Sequence, residues 1–173
     1  MSQQDNITAT KQFGEAVNSG NLNVFHSVMA PAVVDHDPAP DQGPGPEGFM
    51  QFFSVFRTAF PDLNIIVDHM VTDDDNVAIA YTVTGTHQGD FLGVPATGRR
   101  ISARGVQIAR FQNGQIVERW GSSDQLGILQ QIGVNPIAAA VPSVDDASQK
   151  YSDLTATKQD PVEIVDHRRQ QDR

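Results

Sequence analysis

At 173 residues with a formal charge of −9 and a pI of about 4.7, the chain is long enough for one domain with a proper core and short for two. The acidic balance sets it against nucleic acid and anionic membrane surfaces, which repel it at long range, and the cluster Arg99, Arg100, Arg104 and Arg110 does not offset this. No cysteine is present, which excludes disulfides, thiolate catalysis and Cys-ligated metals, and no apolar run approaches the roughly 18 residues that span a bilayer. The polar start MSQQDNITATK lacks the apolar core of a signal peptide, so a soluble cytoplasmic protein is expected.

From about Asp5 to Val17, the apolar residues Ile7, Phe13, Ala16 and Val17 predict an amphipathic helix, stopped by Asn18-Ser19-Gly20-Asn21. A second short helix is expected over Leu22 to Met29, ending before Pro31. Val33 to Pro38 reads as a brief extended piece, and Pro38 to Pro46 as a Pro/Gly loop long enough to be a lip or lid. Pro46 suits the first position of the next helix, where its missing N–H goes unneeded. Along that helix Phe49, Phe52, Phe53, Phe56 and Phe60 recur at spacings of three and four, an aromatic stripe that serves either as core or as the wall of an apolar cavity.

Four strands follow. Leu63 to Val71 and Val77 to His87 flank the turn Asp73-Asp74-Asp75-Asn76, a loop from Gln88 to Arg99 leads to a strand over Ile101 to Phe111, and Asn113-Gly114 turns that strand into a last hairpin. In the returning strand the two-residue period puts Ile116, Glu118, Trp120 and Ser122 on one face, which Asp124 extends if the chain stays straight. Asp124 can equally be the N-cap of the helix in QLGILQQIG, so pocket acid and helix cap compete at one residue. Helices first and a meander afterwards mean α+β: three N-terminal helices on a strongly curved antiparallel sheet, with residues 1–136 forming the domain. The remaining residues, 137–173, are polar and are expected to be disordered or packed on a partner subunit.

The order of elements and several local motifs resemble the SnoaL-like polyketide cyclases of the NTF2-like superfamily. The stretches that carry the resemblance are His36-Asp37-Pro38, Phe60-Pro61-Asp62-Leu63, Gly85-Thr86-His87 with Phe91-Leu92-Gly93, Pro95 with Thr97-Gly98-Arg99, and Gly114 to Gly133 with Trp120, Asp124 and Leu129-Gln130-Gln131. The resemblance implies a cone with a deep apolar pocket, a homodimer formed through the outer sheet face, and no metal or cofactor. It also implies a small apolar or polyketide-like ligand and an Asp, here Asp124, that removes a C–H proton beside a carbonyl so that the enolate closes a ring by aldol attack. Desolvation of such a carboxylate would raise its pKa toward that of a useful base. Donors for the enolate are sought in Gln107, His36 and His87, and pocket walls in Trp120, Phe49, Phe52, Phe53 and Phe56. Where the family pairs a Gln with a His two residues on, this chain has Gln107 and Ala109.

Each candidate has a plainer reading. Trp120 can fill core, His36 can cap a turn beside Pro38, His87 can be a solvated loop residue, and Gln107 can bond a neighbouring backbone group. Arg104 and Arg110 share a parity opposite to Gln107, so they face outward if Gln107 faces the cavity. No His-x-His or His-Glu-x-x-His spacing suggests a metal. Two further functions stay open: ligand binding without chemistry, and epoxide hydrolysis, which needs a second acid facing Asp124, with Glu118 the candidate.

Overall fold

In a computed structural model the chain divides into two units at Asn135, and the structure describes residues 2–134, which lie in the first. The predicted extension over 137–173 lies outside the described residues.

Helix α1 runs Gln3–Ser19, two residues earlier than the apolar spacing alone indicates. The cause is a reciprocal cap: Ser2 Oγ accepts the Asp5 N–H at 3.3 Å while Asp5 Oδ2 accepts the Ser2 N–H at 2.8 Å. Gly20, with φ +80°, closes the helix in the left-handed conformation that only glycine adopts without cost. The expected second helix is broken into a 3₁₀ turn, Leu22–Val24, and a single α turn, α2, Phe25–Val28. At Met29 the backbone is already extended, and strand β1 runs Met29–Asp35, starting four residues before the anticipated piece. Pro31 is tolerated inside it because β1 is an edge strand with one side unpaired.

Helix α3, Gly45–Ala59, has Pro44 as its N-cap, so Pro46 falls at the second helical position and still lacks an N–H that would have no partner there. Strands β2, Asn64–Thr72, β3, Asn76–Thr86, β4, Arg100–Gln112, and β5, Gln115–Ser123, form the expected antiparallel meander, and α4, Gln125–Ile132, follows. At the β4–β5 turn Asn113 and Gly114 both have positive φ, 51° and 74°, as a type I′ turn requires.

The sheet order is β1-β5-β4-β3-β2, and β1 pairs with β5 in parallel. The sheet is therefore mixed, whereas the sequence pattern pointed to an antiparallel one. Nothing local could announce this partner, since β1 and β5 lie some eighty residues apart in the chain. Along β4 the residues Ile101, Ala103, Gly105, Gln107, Ala109 and Phe111 face inward, and Ser102, Arg104, Val106 and Ile108 are exposed. The core fills the space between that inner face and the helices, with Phe13 and Val17 of α1, Phe25 and Val28 of α2, and Phe49 and Phe56 of α3. Phe13 stacks on Phe25 at 4.7 Å between centroids, and Phe53 meets both edge-on. Among the described residues no helix is long and apolar enough to cross a membrane.

Candidate active site

One irregularity decides which side chains enter the interior. Arg110 pairs with Glu118, but Phe111 pairs with Ile116, so Val117 is an extra residue in β5. Such a bulge shifts the alternation by one. Ile116 is buried on the inner face, yet beyond the bulge the inner face belongs to Arg119, Gly121 and Ser123, opposite Ala109, Gln107 and Gly105. Glu118, Trp120 and Ser122 turn outward. The face assignment read from the two-residue period is thus reversed beyond Val117.

Two adjoining cavities open between α3 and this inner face. The first, of about 380 Å³, is mainly apolar and is lined by Phe52, Phe53 and Phe56, with Tyr81, Gln107 and Arg119 among its polar groups. The second, of about 510 Å³, has Asp35, Asp37 and Asp124 on its walls together with Phe49. Gln42, Phe52, Phe53, Arg119, Ser123 and Gln125 border both, so the two are neighbouring parts of one depression. Ala39, Pro40 and Gln42 bring the 38–46 loop to its edge, and Phe91 and Leu92 of the 88–99 loop reach the first cavity.

Arg119 is the hub. Its Nη1 donates to Asp35 Oδ1 at 3.0 Å and Oδ2 at 3.2 Å, and its Nε donates to Gln107 Oε1 at 3.1 Å. The guanidinium carbon stands 5.9 Å from the centre of the Phe49 ring, a cation–π distance. Asp35 also accepts from Gln42 Nε2 at 2.9 Å, and Gln42 Oε1 in turn accepts the Ala39 N–H at 3.1 Å. The side chains of Arg119 and Asp35 are only 18% and 7% exposed, so each depends on the other for solvation it cannot draw from water. Asp37 Oδ2 accepts the Gly121 N–H at 2.9 Å and ties β5 to the loop. Tyr81 also lines the first cavity, and its phenol is raised above its ordinary pKa by burial, against a smaller lowering effect of the Arg119 charge.

Asp124 lies on the rim of the second cavity and not at the floor of an apolar one: it is exposed, and its Oδ1 accepts the Gly127 N–H at 2.7 Å as the N-cap of α4. Gln107 is 7% exposed on the first cavity, bonded to Arg119. His36 and Trp120 line neither cavity. They stack on each other outside the sheet, ring centroids 4.4 Å apart and 4° from parallel, because the bulge carries Trp120 to the outer face. There His36 Nε2 lies 2.9 Å from Glu118 Oε2, and Arg110 also binds Glu118, whose pKa is lowered by Arg110 first and His36 second. Glu118 is therefore not the second acid that epoxide hydrolysis would need facing Asp124.

His87 is fully buried and borders neither cavity. Its Nδ1 meets Thr97 Oγ1 at 3.0 Å, its ring stacks on Phe60 at 5.3 Å, and its backbone is bonded to Arg99 and Gly98, so it pins the 88–99 loop. Of the five Phe in the stripe, Phe49, Phe52, Phe53 and Phe56 border the cavities, while Phe60 is wholly buried. The residues that sequence reasoning missed are Arg119, Asp35, Tyr81 and Gln42. Gly105 and Gly121 were the available signal, since a glycine inside a strand marks close approach of another group.

A family model described as SnoaL-like polyketide cyclase matches residues 7–132. The chain belongs to the SnoaL-like polyketide cyclase family. This SnoaL-like chain is 26% identical over 134 residues to the aklanonic acid methyl ester cyclase DauD of Streptomyces sp. strain C5, a match covering 73% of this chain and 81% of the relative. Its fold is also that of IdmH from Streptomyces antibioticus (33% identity, TM-score 0.66, covering 75% of this chain and 99% of that one) and of TsrD from Streptomyces laurentii (26%, 0.71, 77% and 98%). The NTF2-like α+β fold expected from the motifs is thus the one this chain has, and in it β1 adds a parallel fifth strand.

Proposed function

We propose that the chain is a cofactor-independent cyclase that closes a ring in a polyketide ester by intramolecular aldol addition, with Asp124 as the general base. The observation that carries the reading is the joined depression itself. A mainly apolar compartment with a few donors adjoins a polar one whose rim holds a carboxylate with one oxygen bonded to Gly127 and the other free of any hydrogen bond among the described residues. Relatives named as aklanonic acid methyl ester cyclases support a polyketide ester as the substrate.

In the reaction, the free oxygen of Asp124 takes the proton from the carbon between carbonyl groups, and the C–H electron pair becomes an enolate. That carbon then bonds to a ketone carbon of the same molecule. The ketone oxygen receives the negative charge and takes the proton back from the Asp124 carboxyl, so the product is an isomer of the substrate and the enzyme is regenerated. Gln107 supplies a donor on the side of the enolate oxygen.

Aklanonic acid methyl ester is the substrate on which this should be tried. Asp124→Asn keeps an oxygen for the helix cap but removes the base, and a fall in turnover of about 100-fold or more is expected. Full turnover by that variant sinks the proposal. Two observations favour a second reading, binding without chemistry: Asp124 already serves as a cap, and Ala109 stands where the family resemblance implies a histidine. Ester recovered unchanged after incubation, with affinity indifferent to Asp124→Asn, is the outcome that reading requires.

By the same reading the protein is a cytoplasmic homodimer formed through the outer sheet face. Val71, Val106 and Ile108 are exposed there beside Trp120, a larger apolar patch than a lone surface residue presents. Val106→Glu together with Ile108→Glu should convert a dimer to monomers in sedimentation.

A further inference from the structure

The inner face carries two glycines in neighbouring strands, Gly105 opposite Tyr81 and Ser123, and Gly121 opposite Gln107. A Cβ at Gly105 would lie 2.8 Å from Tyr81 Cε2, and one at Gly121 would run into the Arg119 guanidinium. The phenol end of Tyr81 thus lies against Gly105, and the Arg119 guanidinium against Gly121. Between them stands Gln107, diagonal to Tyr81 across the β3–β4 pair, at a separation of about 7–8 Å that long side chains bridge.

Arg119 has only donors, so the end of the Gln107 amide that meets its Nε is the oxygen. The NH₂ group is consequently turned away from Arg119, on a residue that borders the first cavity. Tyr81 Oη makes no hydrogen bond among the described residues and borders the same cavity. Two neutral donors therefore share one apolar space, while the charge of Arg119 is balanced by Asp35.

We propose that Tyr81 Oη–H and the Gln107 N–H hold the enolate oxygen formed when the base removes its proton, and that Arg119 is a positioning residue that fixes which end of the Gln107 amide meets it. The inference rests on the aldol reading given above. It adds a catalytic tyrosine and gives the arginine a defined role, since without the Nε bond the amide can rotate and offer its oxygen, which would repel an enolate. Burial raises the Tyr81 pKa, so the phenol keeps its proton at neutral pH and remains a donor.

The probe is 2-naphthol, whose fused rings suit the apolar cavity and whose ionised oxygen imitates an enolate. Its ionisation when bound is read by absorbance, without turnover. The native protein should bind the naphtholate more tightly than the neutral naphthol. Tyr81→Phe keeps the ring and its packing. It should weaken that preference at least 10-fold and lower kcat on aklanonic acid methyl ester about 100-fold with KM within 2-fold. Arg119→Lys retains a charge for Asp35 but not the Nε bond, and should show the same split of kcat against KM with the fold intact.

Unchanged kcat and unchanged naphtholate preference in Tyr81→Phe overturn the proposal, as does a native protein that shows no preference. Turnover that depends on Asp124 but ignores Tyr81 leaves the cyclase standing and removes the two-donor site. A naphtholate preference lost in Tyr81→Phe, in a protein inert toward the ester, does the reverse.

Discussion

Each face of strand β5 carries an arginine–carboxylate pair, and the two differ in almost every physical respect. Inside, Arg119 meets Asp35 with side chains 18% and 7% exposed, and Gln107 and Gln42 complete the geometry. Outside, Arg110 meets Glu118 with side chains 43% and 25% exposed beside His36. Water solvates the outer partners if the pair opens, whereas the inner partners have each other and the two neutral amides of Gln107 and Gln42. The inner pair therefore does little for net stability compared with an apolar pair, yet it is costly to break, and its use is to hold Gln107 in one orientation. The outer pair is a surface contact of small worth.

Removing one inner charge breaks the comparison most severely. Arg119→Met should cost about 3–5 kcal/mol in urea unfolding, because Asp35 is left buried without its cation, whereas Arg110→Met should cost far less. Equal losses would mean that burial does not distinguish the two faces. Next comes Gly121→Ala, whose Cβ collides with the Arg119 guanidinium, the end of a flexible side chain. The arginine has to move, and a loss of about 1–3 kcal/mol is expected with turnover falling further than stability accounts for. Stability and activity that both stay at native values would show the arginine free to lie elsewhere.

Asp124→Ala separates the two duties of that residue. It should cost about 1 kcal/mol as a lost helix cap, while Asp124→Asn should be nearly neutral in thermal unfolding but equally inactive. The smallest effect concerns pH and belongs to the outer face. The folded-state pKa of Glu118 is depressed by Arg110 and His36, so its contribution is present above the unfolded glutamate value near 4.3 and is lost as pH falls through the folded value. In Glu118→Gln, the urea midpoint should therefore fall less than that of the native protein between pH 5 and pH 2. Parallel pH profiles would remove Glu118 from the acid response.

The sequence pattern captured what depends on neighbours in the chain. The phenylalanine spacing of α3, the Asn113-Gly114 turn, the Asp73 to Asn76 turn and the capping position of Asp124 are all local, and each is found where its chemistry places it. What eluded it depends on distant partners. The parallel pairing of β1 needs β5, and the interior place of Arg119 needs the bulge at Val117, which no residue type near it requires. Two histidines were drawn toward the site by their chemistry, but His36 belongs to the outer face and His87 to the anchoring of a loop. Asp35 was hidden for the same reason as Arg119, since an acid in an extended piece looks solvent-facing until its cation is known to lie inside.

The extra residue at Val117 sets which side chains of β5 this depression receives. Deleting Val117 should restore plain alternation with Arg119 still inside and Trp120 still outside, whereas the full-length strand drawn straight would turn Glu118 and Trp120 inward.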